Sequence, residues 1–174
     1  MTASLPPLYL PAQPVDVCRI GDVTSVPTVV VHETDWKMAR MADLMDGVFS
    51  SLAEALVAAG LTPIGPAFCL HHRMPAETAD LEVGFPVDGT LAEAITLPSG
   101  FTADNSRLPA GRVALHSHVG PYDQLPESWG NFVERIGRSG ERMTLPFWEI
   151  YVTEPGPDED PASMRTDLMT LLEE

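Results

Sequence analysis

A single carboxylate stands between aromatic side chains near the C-terminal end of the chain. In the segment 147–152, Phe-Trp-Glu-Ile-Tyr-Val, a β-strand turns Phe147, Glu149 and Tyr151 to one face and the alternate residues to the other. A countercharge flanked by ring faces suits a flat organic cation, since a cation over an aromatic ring gains about 0.5–2 kcal/mol. The alternative is that this face lies in water, with Glu149 solvated on an edge strand.

Two histidines share a strand face by the period of two, His116 and His118, and Tyr122 follows them after the turn residues Gly120 and Pro121. Such a pair binds zinc only with a third ligand, which the neighbouring sequence does not supply. Tyr122 is a candidate ligand contact at the start of a helix. The turn chemistry favours the alternative, in which His118 and Tyr122 hold the turn by hydrogen bonds and packing.

Cys69 and His71 also fall on one strand face, beside His72, but no CxxC or HxxxH partner accompanies them. We therefore expect no metal, and no residue pattern indicates a cofactor.

The sequence has no Gly-x-Ser-x-Gly elbow and no Gly-rich phosphate loop, and Ser117 points away from the histidines beside it. Covalent catalysis is disfavoured. The hydrolytic mechanism that the residues allow is general-acid assistance by Glu149 with water as the nucleophile.

Tryptophans and methionines are further candidates for a binding surface. Trp36 precedes the first predicted helix, where it lines the mouth of a groove or packs as a hydrophobic staple. Trp129 falls in the apolar stripe of the second predicted helix, which favours the core. Met38, Met41 and Met45 suit a surface that repacks around different shapes, but their helical spacing also favours the core.

The chain repeats one order of elements. Periodicity predicts strands at 15–20 and 29–34, a helix at 38–59, a hairpin of 67–72 with 80–87, a strand at 112–118, a helix at 123–136, and strands at 145–152 and 165–172. Pro and Gly between 90 and 108 indicate an irregular connection. This order predicts an α+β fold of duplicated βαββ units, with helices on one side of an antiparallel-rich sheet. The other side of the sheet, or the seam between the two copies, then covers itself or holds a ligand.

Length and charge limit the function classes. The 174 residues predict one domain at 15–174 after a flexible, Pro-rich arm at 1–14, with repeats at about 15–88 and 108–172. Lys and Arg number 10 against 25 Asp and Glu, so the net charge of −15 argues against direct nucleic-acid binding. We expect a cytoplasmic protein with no signal peptide, no membrane span and two free cysteines, Cys18 and Cys69.

Several motifs together resemble the GyrI-like small-molecule-binding family, which also supplies effector-binding domains to AraC-type and MerR-type regulators. They are Leu-Pro-Ala-Gly-Arg at 108–112, His-x-Gly-Pro-Tyr at 118–122, Trp-Glu-Ile-Tyr at 148–151, the segment 80–87, Gly-Pro at 65–66 and Arg-Thr-Asp-Leu at 165–168. The likeness covers about residues 15–172, in the expected order. It implies a duplicated βαββ fold with a ligand groove between the repeats. The groove would take lipophilic, often cationic, aromatic compounds, with an acidic residue at the position of Glu149.

Three functions follow from these residues together with the resemblance. The first is capture of lipophilic, aromatic, cationic small molecules, such as drugs or toxins, by Glu149, Tyr151, Phe147, Tyr122 and Trp36. The second is hydrolysis of cyclopropane-bearing DNA alkylators, as in one branch of the family, with Glu149 as the catalytic residue. The third is a ligand-sensing adaptor that acts on a separate protein partner, because the chain has no room for a helix-turn-helix reader before residue 15.

Overall fold

The computed structural model describes residues 9–174, which form an α+β domain. Its strands are β1 Arg19–Val23, β2 Val26–Lys37, β3 Phe68–His71, β4 Thr78–Pro86, β5 Ile95–Thr96, β6 Thr102–Leu108, β7 Gly111–Val119, β8 Met143–Tyr151 and β9 Arg165–Leu172. Its α-helices are α1 Met41–Phe49, α2 Leu52–Ala58 and α3 Leu125–Arg138. The predicted hairpin and the strands of the second half are confirmed. β3, β4 and β9 are buried on both faces along most of their length.

The predicted helix at 38–59 is divided in two. A 3-10 turn at Met38–Arg40 leads into α1, and the chain leaves helical geometry at Ser51, whose φ is −141°. Serine is a weak helix former because its hydroxyl competes for backbone hydrogen bonds. Leu44 and Val48 on α1 remain fully buried against the sheet. Gly60, at φ 83°, lies just past the end of α2, where the predicted helix at 38–59 also ends.

The irregular connection predicted at 90–108 is wrong. β6 occupies its second half and pairs antiparallel with β2, from Val26 opposite Leu108 to Val30 opposite Asp104. The short β5 then pairs with β6 at the edge of the sheet. Most side chains of β6 are polar and exposed, so the segment lacks the apolar alternation that marks a half-buried strand.

The sheet is antiparallel throughout and shows the duplication directly. The strand order is β1-β7-β9-β8-β3-β4-β2-β6-β5. One unit is β2, α1 with α2, β3 and β4, and the other is β7, α3, β8 and β9, so β3 and β8 meet at a central seam. The first predicted strand begins later than expected and pairs with β7 of the second unit, whereas β6 extends the first unit.

The helices pack on one face of the sheet, and the opposite face closes on itself. Two-residue links join β1 to β2 and β6 to β7, although five strands separate β6 from β7 in the sheet. In a flat sheet these two strands would be about 29 Å apart, and a two-residue link spans at most ~11 Å. The sheet must therefore curl, and the curl encloses a second core around Val30, Phe68, Leu115 and Trp148.

The start of the described chain packs against this second core. Tyr9 is 4% exposed, and the Pro11 carbonyl accepts a hydrogen bond from the Arg165 guanidinium. Arg165 also pairs with Asp167, and Ser117 donates to the same carboxylate. Residues 9–14 of the predicted flexible arm are thus attached to the domain, and residues 1–8 lie outside the described part of the chain.

Candidate functional site

A cleft of about 580 Å³ lies between the two repeats on the helix side of the sheet. The first repeat contributes the start of α1 and the strand β3, while the second contributes α3 and β8. Its apolar rim is formed by Met38, Met41, Leu125, Pro126, Val133 and Met143. Because β3 and β8 are neighbours at the seam, side chains of both repeats form one floor. The predicted groove between the repeats is present.

Glu149 lies on the floor of this cleft, directly opposite Cys69 in the register of β8 and β3. Its Oε1 accepts a hydrogen bond from the indole Nε1–H of Trp129 at 2.8 Å, and its Oε2 accepts one from the hydroxyl of Tyr151 at 3.0 Å. Burial raises the pKa of the Glu149 carboxyl, while these two hydrogen bonds and the nearby His118 oppose the rise. The carboxylate is held in one orientation, with its negative charge poorly compensated.

Aromatic rings surround this carboxylate. Trp129 meets Phe147 edge to face, with ring centroids 4.9 Å apart, and Phe147 in turn stacks on His71 at 4.9 Å and 13°. Tyr122 meets the edge of Tyr151 at 5.8 Å. The cleft therefore offers ring faces and ring edges on both sides of one acid, the combination that flat organic ligands use.

Cys69 and His71 on β3 are neutral members of the same floor. Burial lowers the pKa of His71 to about 4, with a smaller contribution from the neighbouring His72. Burial also raises the pKa of the Cys69 thiol, and the Glu149 charge adds to the rise. The Cys69 Sγ lies 3.6 Å from the His71 Nε2, but a thiol kept protonated is a poor nucleophile. This pair favours binding over covalent chemistry.

The structure brings together most of the residues that the sequence singled out. Glu149, Phe147 and Tyr151 line the cleft. Tyr122 does not line it, but its ring meets the Tyr151 ring edge to face at 5.8 Å. Trp36 does not take the predicted position at the groove mouth. Its ring packs against Phe101 at 5.6 Å, and its indole N–H donates to the Arg40 carbonyl at 3.0 Å, outside the cleft lining. The connection at 90–108, which carries Phe101, covers Trp36 because it is ordered as β5 and β6.

The sequence favours a core position for Trp129 and for the methionines of the first helix, but the structure places several of them in the cleft lining. Trp129 lies half-buried at the margin of the apolar stripe of α3. A buried tryptophan needs an acceptor for its indole N–H, and this need is the signal that could have marked Trp129 as a partner of Glu149. Met38 and Met41 line the cleft, whereas Met45 packs against the core under the helices, around Leu44 and Leu81. The His118 ring donates to the Pro121 carbonyl at 3.1 Å, so this histidine does hold the turn.

A duplicated α+β domain with an apolar, acid-containing cleft at its seam has the kind of pocket that small-molecule-binding proteins use. Residues 28–172 match the family model of the GyrI-like small molecule binding domain, and the chain belongs to that family. No curated protein sequence matches the chain.

Solved structures share the fold at low sequence identity. EcmrR in its complex with DNA is 18% identical with a TM-score of 0.72, covering 90% of this chain, which spans 57% of the EcmrR chain. SAV2435 bound to tetraphenylphosphonium is 13% identical with a TM-score of 0.60, covering 90% of this chain and 93% of SAV2435. A hydrolase from Listeria innocua is 11% identical with a TM-score of 0.60, covering 93% and 94% of the two chains.

Among residues 9–174, no helix combines the length and the apolar character that crossing a bilayer requires.

Proposed function

We propose that the cleft binds lipophilic, aromatic, cationic small molecules and sequesters them, with Glu149 as the countercharge. The observation that carries this proposal is a carboxylate on an apolar floor, fixed by Trp129 and Tyr151 and flanked by Phe147. An unpaired charge in such a place is unfavourable, and a bound cation removes the penalty. The tetraphenylphosphonium held by SAV2435 belongs to the same chemical class and supports the assignment.

The rest of the cleft fits such a ligand. Its volume of about 580 Å³ lies in the usual range for small-molecule pockets. Thioethers of Met38 and Met41 rotate to fit different ring systems, which suits a site for varied compounds. The net charge of −15 favours the approach of cations.

The direct test measures binding of tetraphenylphosphonium and of a neutral aromatic of similar size by calorimetry and thermal denaturation. A hundredfold excess over the dissociation constant should stabilise the protein by about 2.7 kcal/mol. Gly130 and Gly137 on α3 offer a matched pair, since a Cβ added at either meets nothing within 4 Å, and of the two only Gly130 lines the cleft. Gly130→Trp should abolish binding and Gly137→Trp should preserve it. Equal binding by both variants would place the ligand elsewhere.

The raised pKa of Glu149 favours one second candidate, hydrolysis of cyclopropane-bearing alkylators. In this reaction one ring C–C bond breaks as water adds its hydroxyl to a ring carbon and the protonated carboxyl gives its proton to the product. The second proton of the water returns to Glu149, so the product gains one water in total. Mass spectrometry of the alkylator after incubation separates the two functions. We expect binding without a change of mass. A hydrated product that disappears with Glu149→Gln would establish the enzyme instead.

A role as a ligand-sensing adaptor stays a prediction, tested by pull-down with and without tetraphenylphosphonium.

A further inference from the structure

A cluster of metal-ligating side chains lies on the sheet face opposite the cleft. β4 is the central strand of the first repeat, and it directs Asp80 and Glu82 to this face because Leu81 packs under the helices. The neighbouring strand β2 contributes His32, which lies directly opposite Glu82 in the register. His72 follows β3 on the other side of β4, and its backbone N–H donates to the Asp80 carbonyl.

The side chains of this cluster converge. The His32 Nε2 lies 2.6 Å from the Asp80 Oδ1, and the His72 Nε2 lies 2.7 Å from the Glu82 Oε2. The two imidazole rings are 5.1 Å apart, and ligand atoms of His32, His72 and Asp80 all lie within 4.8 Å of one another. Tetrahedral zinc with bonds of about 2.0–2.2 Å holds its ligand atoms roughly 3.3–3.6 Å apart. Small side-chain rotations reach that spacing.

The charges of the cluster favour a cation. The Glu82 side chain is 8% exposed, yet its ion-pair partner is the imidazole of His72 rather than a guanidinium. The nearby guanidinium of Arg73 is engaged instead by Asp35 and Thr78. His32 and Glu82 also line a cavity of about 350 Å³ together with Asp104, so a bound ion would be reached from solvent.

We propose that His32, His72 and Asp80 bind a zinc ion, with Glu82 orienting the ring of His72. Two imidazoles with a carboxylate suit zinc, whereas magnesium and calcium select oxygen ligands. A buried carboxylate that holds one nitrogen of a histidine leaves the other nitrogen for the metal, an arrangement that recurs in zinc proteins. The ion would tie together β2, β3 and β4 on the face away from the ligand cleft.

The test titrates zinc chloride into the chelator-treated full chain by calorimetry and follows cobalt(II) binding by visible absorption. We expect one ion per chain and the absorption of four-coordinate cobalt. Glu82→Gln should weaken zinc by about 10- to 100-fold, as expected for a residue that orients a ligand. His32→Gln and His72→Gln should weaken it further. Both histidines are exposed, so these variants should fold, which circular dichroism checks.

Glu33→Gln is the matched control, because Glu33 follows His32 on β2 but lies opposite Leu81, toward the helix face. This variant should bind zinc like the unmodified chain. Equal zinc affinity in His72→Gln, several ions per chain, or no binding would overturn the proposal. Tetraphenylphosphonium affinity should be the same in His72→Gln, so that the metal site and the cleft are judged separately.

Discussion

Replacing Glu149 by Gln removes the charge of the cleft while nearly preserving its shape. The Gln side-chain oxygen can accept from the Trp129 indole at 2.8 Å, and the Tyr151 hydroxyl can rotate to accept from the amide. Any loss of affinity confined to cations therefore reports the missing charge and not a collapsed site.

The size of the loss follows from the environment of the carboxylate. A cation about 4 Å from Glu149 gains about 4 kcal/mol at an effective dielectric constant of 20, and about 1 kcal/mol in bulk water. Because the cleft floor is apolar but open to solvent at its mouth, we expect about 2–3 kcal/mol. This range corresponds to roughly 30- to 150-fold in the dissociation constant.

The assay compares dissociation constants of tetraphenylphosphonium and of a neutral aromatic for the unmodified chain and for Glu149→Gln. Neutral ligands should change by less than about threefold, since Gln preserves the contacts. Glu127→Gln removes a charge from the exposed surface of α3 and serves as the control. Equal losses for the cation and the neutral compound, or a loss of similar size in Glu127→Gln, would refute a local countercharge.

The same substitution should stabilise the free protein at neutral pH. Burial raises the pKa of the Glu149 carboxyl in the folded state above its unfolded-state value. The folded state therefore binds this proton more tightly, which stabilises the fold below the unfolded-state pKa. This stabilisation is lost as the pH rises through the folded-state pKa. Gln removes this loss, so its melting temperature should exceed that of the unmodified chain at pH 7, and the difference should shrink in acid. A lower melting temperature at pH 7 would show that the carboxylate stabilises the fold.

Four further variants test the site and the packing of the fold. Trp129→Phe removes a hydrogen bond to Glu149 but keeps a ring, so the carboxyl pKa should rise further and cation affinity should fall about tenfold, measured by titration across pH. His71 has a pKa lowered to about 4, so its neutral form stabilises the fold above the unfolded-state value, and about 3 kcal/mol is lost as the pH falls from 6.5 to 4. Urea unfolding of His71→Gln should show a flatter profile over that window, and an unchanged slope would contradict the assignment. Gly84→Ala should destabilise the fold by about 3 kcal/mol, because a Cβ there meets a β2 carbonyl oxygen at 2.0 Å, while Gly137→Ala in α3 should add about 0.5–1 kcal/mol.

Local periodicity determined the face on which each side chain lies. The alternation in β8 was enough to group Glu149 with Phe147 and Tyr151, and it needed no knowledge of the neighbouring strands. Apolar spacing likewise marked the helices and the repeated order of elements. These features depend on the period of a strand or a helix, which a short segment carries by itself.

Long-range pairing decided what meets across strands, and no short segment contains that information. Trp129 reaches Glu149 only because α3 packs over the central seam, where β3 and β8 bring Cys69 and His71 into the same floor. The strand β6 forms because β2 offers it a partner, although its own residues are polar. Three strands likewise gather the imidazoles and carboxylates of the proposed zinc site. The sequence determined the acid and its two flanking rings, and the register between strands built the cleft around them.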